Sequence, residues 1–128
     1  MNKTIPASHV RIKRAYEAPM PEDGARILID RLWPRGVKKE ALLLAEWAKP
    51  LAPSTELRQW FNHEPAKFPD FKAQYLAELA ANPAFATLEQ TVADHLRDGN
   101  VILLYGAKDP VHNQAVILKE KLEAGLGL

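Results

Sequence analysis

The chain has 128 residues, 47% of them hydrophobic and 26% charged, with 17 basic against 16 acidic side chains and a formal net charge of +1. That is the size and make-up of one ordinary globular domain, long enough to bury a core without a covalent staple. It contains no cysteine, which excludes disulfides, thiolate nucleophiles, iron–sulfur clusters and thiolate zinc sites.

In chain order, the opening stretch MNKTIPASHVRIKRAY has no apolar h-region, so no secretory signal is expected. A reducing cytoplasm is the compartment that the missing cysteines fit. Residues 9–16, HVRIKRAY, alternate apolar and basic side chains as an edge or half-buried strand does. The loop 17–25 carries two prolines and an Asp–Gly pair. RILIDRLW (26–33) reads as a central strand that Pro34 and Gly36 end. Residues 38–43 predict a helical turn or two; 44–51 is ambiguous, with Ala45, Trp47 and Leu51 lining one face if it forms a third strand.

Ser54 reads as an N-cap for the helix TELRQWF, with Glu56 in the first turn where the dipole favours an acid. A longer helix over 69–81 carries Phe71, Tyr75 and Leu79 on one stripe. Asn82 and Pro83 open the next helix, which shows Leu88, Val92 and Leu96 and stops at Gly99. VILLY (101–105) reads as a fully buried strand. Asp109 and Pro110 repeat the cap-plus-proline pattern, and Val111, Ala115, Leu118 and Leu122 then form a core-facing stripe.

Strands interleaved with helices predict an α/β fold: a single three-layer domain over 1–128, with about four strands flanked by helices. The sheet is mostly parallel. It becomes mixed if the first two strands pair as a hairpin, which the shortness of the 17–25 loop favours.

In such sheets ligands bind beyond the carboxyl ends of the strands. Two strand ends are polar here. The first offers Asp30, Arg31, Trp33 and Arg35. The second offers Tyr105, Lys108, Asp109, His112 and Asn113. If the two strands are parallel neighbours, both sets converge on one crevice, and Arg58 and His63 from the middle helix are within its reach. Guanidinium forks suit phosphate or carboxylate. Arg31, Arg35 and Lys108 would hold the anion, and Asp30 or His112 would serve as acid or base.

Structural alternatives stand beside each role: Asp30 and Arg31 as paired charges, Trp33 as packing, Asp109 as a helix cap, His112 as a surface residue. No metal site and no cofactor motif is expected, because the histidines are scattered and no glycine-rich phosphate loop or nucleophile elbow occurs. The charge balance disfavours nucleic acid as a partner, and no run approaches the roughly 18 apolar residues of a membrane span. Oligomeric state is not readable.

The stretches RIKRAY, DGARILIDRLWPRG, APSTELRQWFNHEP and LLYGAKDPVHNQAVIL, in that order and over nearly the whole chain, resemble the YeaO-like branch of the bacterial domain-of-unknown-function 488 family. The resemblance implies a single-domain α/β fold and no established activity. Other branches carry a Cys-His-Arg triplet after the last strand. Here that place reads AKDPVHNQA, so thiol chemistry does not transfer. Two function classes stay open: a small-molecule site for an anionic ligand, with or without catalysis, and a non-catalytic binding or regulatory module for nucleic acid or protein.

Overall fold

Residues 9–128 are described by a computed structural model; MNKTIPAS, half of the stretch read for a secretory signal, lies outside them. Four strands form one sheet: β1 (Val10–Arg14), β2 (Ala25–Leu28), β3 (Glu46–Trp47) and β4 (Val101–Tyr105). All are parallel, in the order β1-β4-β2-β3. The helices are α1 (Lys39–Leu42), α2 (Thr55–Phe61), α3 (Phe68–Ala81), α4 (Ala84–Leu96) and α5 (Gln114–Leu126).

Strand parity divides the chain into layers. Ile27, Val101, Leu103 and Tyr105 face the main core, built with Leu57, Phe61, Phe71, Tyr75, Leu88, Val92, Leu118 and Leu122 of α2 to α5. Leu28, Ile102 and Leu104 face the other side, where Leu42 and the Trp33 and Trp47 rings close a smaller core. Both faces of β4 are therefore covered, and all five of its residues are buried. A covered parallel strand calls for such a continuous run of aliphatic side chains.

The hairpin option for the first two strands does not occur. β4 lies between them and pairs with both, Val10 and Ala25 each opposite Val101. The connection needs no crossover helix. An extended residue spans about 3.3 Å, so residues 15–24 are ample to run back past a five-residue strand. Asp23 pins the end of this return to Lys13 of β1 and Arg26 of β2.

Three boundaries also differ. The second strand ends at Leu28, five residues before the Trp33 end expected of it. The third strand is only Glu46–Trp47, because Lys49–Leu51 turn into a short 3-10 helix at Pro50. The last helix starts at Gln114, not after Asp109. Its N-cap is Asn113, whose Oδ1 accepts hydrogen bonds from the Ala115 and Val116 amides. Val111 therefore lies outside the helical stripe and is 59% exposed.

Candidate functional site

The adjacency of β2 and β4 brings Asp30 and Gly106, just past the two strand ends, within hydrogen-bond distance. Asp30 Oδ2 accepts the Gly106 amide hydrogen at 2.8 Å, and Oδ1 accepts one from Gln114 Nε2. The Trp47 indole donates to the Asp30 carbonyl at 2.7 Å. From β1, Arg14 donates to the carbonyls of Ala107 and Gly106 at 2.9 and 3.1 Å, fixing the segment that aims the Gly106 amide. A side chain at 106 would crowd this contact, since a Cβ there would sit 3.1 Å from Asp30 Oδ2.

A second wall comes from α2 and its approach. Tyr75 is fully buried and donates to the Leu51 carbonyl at 2.6 Å. Glu78 accepts hydrogen bonds from the Ser54 amide and hydroxyl, and Ser54 Oγ caps α2 through the Leu57 amide. These contacts hold residues 51–54, and the Pro53 carbonyl accepts a 3.3 Å bond from Arg31 Nη2. Arg31 Nε is buried with no partner among the described residues. Beyond α2, Asn62 and His63 both adopt left-handed backbone, with φ of 47° and 56°. That turn folds His63 back beside Phe61, whose ring stacks on Phe71 with centroids 4.2 Å apart.

The third wall is the 106–113 loop. Asp109 Oδ1 accepts from the Val111 and His112 amides, and Oδ2 lies 2.8 Å from His112 Nδ1. An ionised carboxylate only accepts, so Nδ1 carries the hydrogen and a neutral ring keeps Nε2 as its acceptor. The His112 ring stands edge-on to Phe68, with centroids 5.3 Å apart.

Together these walls enclose a cavity of about 670 Å³ lined by Asp30, Arg31, Arg58, His63, Lys108, Asp109, His112 and Gln114, with Phe61, Phe71, Ala52 and Pro53 as its apolar surface. Its two carboxylates are tuned in opposite directions. Burial pushes Asp30 above the ordinary aspartate range, against the opposing pull of the Gly106 and Gln114 hydrogen bonds. The His112 and Val111 amides, with the His112 ring, hold Asp109 at about 2. A carboxyl-detected NMR titration should therefore show Asp109 titrating near 2 and Asp30 above the ordinary range of about 3.9. Coincident midpoints would contradict the geometry.

Of the eleven residues named for the site from the sequence, seven line this cavity: Asp30, Arg31, Arg58, His63, Lys108, Asp109 and His112. Four do not. Trp33 donates to the Val37 carbonyl and meets Trp47 edge-on, packing the smaller core rather than offering a stacking face. Arg35 is exposed beyond the cavity lining. Tyr105 is buried in the main core, and burial raises its phenol pKa. Asn113 is buried as the α5 cap. Asp109 and His112 precede α5 and are not on its first turn. Arg14, Gln114 and Glu78 escaped the sequence reading. Gln114 carried a faint signal as the residue after a buried cap; Arg14 and Glu78 act through long-range contacts with no local pattern.

Among the described residues no group of three or more His, Asp or Glu side chains is arranged to hold a metal ion. No helix among them is long and apolar enough to cross a membrane.

The Escherichia coli (strain K12) protein named uncharacterized protein YeaO is 42% identical over 116 residues, covering 91% of this chain and 98% of that protein. The Mycobacterium tuberculosis (strain H37Rv) uncharacterized protein Rv3073c and the Mycobacterium bovis uncharacterized protein Mb3100c are each 42% identical over 83 residues, covering 65% of this chain and 70% of theirs. No solved structure matches. Residues 9–127 match the family described as the inactive DUF488-N3 subclade. With the match running from β1 to the end of α5, the chain belongs to the DUF488 family as a YeaO-like member.

Proposed function

We propose that this domain binds a small phosphate- or carboxylate-bearing molecule in the cavity at the strand ends. One observation carries the reading: Arg31, Arg58 and Lys108, from three separate stretches of chain, line a single concavity with His63 and His112. Its volume of about 670 Å³ falls in the roughly 300–1,000 Å³ range of small-molecule sites. Arg31 brings a fork of five donors, of which only one makes a bond among the described residues, and that one is long at 3.3 Å. The description of the matching subclade as inactive, with a chain that lacks cysteine, supports binding without turnover. A second reading, acid–base catalysis by Asp30 and His112, is supported by the carboxylate-oriented imidazole and the opposed tuning of the two acids.

The test is a thermal melt and calorimetric titration with inorganic phosphate and pyrophosphate at low salt. A ligand that binds only the folded chain raises its melting temperature. Arg31→Ala is expected to weaken anion binding about tenfold or more, the scale of a lost charge-assisted hydrogen bond. Arg35→Ala, outside the cavity, should leave binding unchanged. Equal losses in both variants, or no anion-induced shift in the wild type, would remove the reading. Submicromolar duplex-DNA binding at physiological salt would favour a regulatory module, which a net charge of +1 does little to support.

A further inference from the structure

We propose that the cavity takes a small acid that also carries a hydrogen-bond donor, a hydroxyl or an ammonium group, with the acid held by Arg31 and the donor by Asp30. This rests on the anion-pocket reading and adds a second recognition point to it.

The unusual group is Asp30. Each of its oxygens accepts one hydrogen bond from a neutral donor, the Gly106 amide and the Gln114 amide. Among the described residues it makes no ion pair. A carboxylate offers about four lone-pair sites, so roughly half of its accepting capacity is open, and it lines the cavity. Arg58 and His63 act on it only at a distance, and a desolvated carboxylate without a bonded cation is costly to keep. The two amides fix its aim without neutralising its charge. Asp23 shows the contrast within the same chain: a buried aspartate with a structural role bonds both Lys13 and Arg26 directly.

Arg31 is the complement, with an unpartnered Nε and one long bond to Pro53. Asp30 and Arg31 line the same cavity from consecutive positions, so one small ligand can meet both with its acid and its donor. The lining also offers apolar surface from Ala52, Pro53, Phe61 and Phe71. A 2-hydroxy or 2-amino acid with an apolar tail meets all three requirements.

The test uses three acids of one shape: 3-phenylpropionate, phenyllactate and phenylalanine, titrated calorimetrically into the full chain at pH 8, with inorganic phosphate alongside. Phenyllactate, phenylalanine or both should bind at least about tenfold more tightly than 3-phenylpropionate, the scale of one hydrogen bond to a charged group. In Asp30→Ala, checked for folding by its thermal melt, that preference should vanish while 3-phenylpropionate still binds. Should the variant not fold, the preference within the wild type decides alone. Three equal affinities, a preference that survives in folded Asp30→Ala, or binding of phosphate but none of the organic acids would overturn the proposal and leave the anion pocket standing. Failure of every probe, phosphate included, would overturn both.

Discussion

Replacing Asp23 with alanine is expected to destabilise the fold by about 3–5 kcal/mol, lowering the melting temperature by about 10–20 °C at this chain length. Asp23 is 4% exposed and Arg26 3%. The carboxylate accepts 3.0 and 3.1 Å bonds from Lys13 Nζ, a 2.6 Å bond from Arg26 Nη1 and a 3.1 Å bond from the Met20 amide. Removing it leaves a guanidinium sealed behind the sheet with only the Leu42 carbonyl for company. Its Nη2 already lacks a partner among the described residues. Breaking one side of a buried pair costs far more than the pair itself contributes, because the surviving charge has lost both water and counter-ion.

The same contacts predict a pH dependence. Burial alone would raise the Asp23 pKa, but the bonds from Lys13, Met20 and Arg26 outweigh it and the pKa is lowered. A depressed folded pKa gives stability that is complete above the unfolded value of about 3.9 and is lost as pH falls through the folded value. The gap between wild type and Asp23→Ala should thus narrow below about pH 4. A constant gap down to pH 2, or a loss under about 1 kcal/mol at neutral pH, would show that the cluster is not the staple its geometry describes.

Much of this fold was legible because its signals are local. VILLY is apolar at every position, and the structure buries every position. Ser54 caps α2 as its place before TELRQWF suggested, and Phe71, Tyr75 and Leu79 make the buried stripe of α3. Strand order was not legible. A short loop between two strands is a hairpin signal only if nothing is to be inserted between them, and the insert, β4, lies far along the chain. The α5 boundary failed for a different reason. Asp109 bonds the amides two and three residues on, as an N-cap does, but so does Asn113. The two carry the same local signature, and tertiary packing chooses between them: Ala115, Leu118 and Leu122 reach the core, whereas Val111 does not.

The site divides along the same line. The apolar runs of β2 and β4 stop just before Asp30 and Gly106, so Asp30, Arg31 and Lys108 could be named from sequence. Where a side chain points beyond a strand end depends on partners from elsewhere. Trp33 turned to Trp47 and Arg31 to Pro53, and neither partner is near in sequence. His63 could be named but not aimed, since its direction comes from two successive left-handed residues that no strong turn motif announces.

Gly24→Ala is expected to destabilise by about 3 kcal/mol or more, the sum of backbone strain and a forced contact. Gly24 has φ of 72°, and a Cβ there would sit 2.0 Å from the Asn100 carbonyl oxygen. Backbone is what it would strike, so no side-chain rotation relieves the clash. That carbonyl accepts the Ala25 amide at 2.9 Å. The Asn100 side chain accepts from the His9 amide and donates to the Glu22 carbonyl. Asn100 therefore gathers the starts of β1, β2 and β4 and sets the register of Ala25 opposite Val101. The same register, counted to the other end, puts Leu28 opposite Leu104 and Asp30 against Gly106. Denaturant unfolding should show the loss as a lowered midpoint with an unchanged slope. Gly99→Ala, with nothing within 4 Å and no positive φ, should change stability by no more than about 1 kcal/mol in either direction. If the clash moves the sheet register, the Gly106 amide also loses its acceptor and should exchange with solvent faster than in the wild type. A variant as stable as wild type, with the Gly106 amide equally protected, would show that the strand starts do not govern the geometry of the cavity at the strand ends.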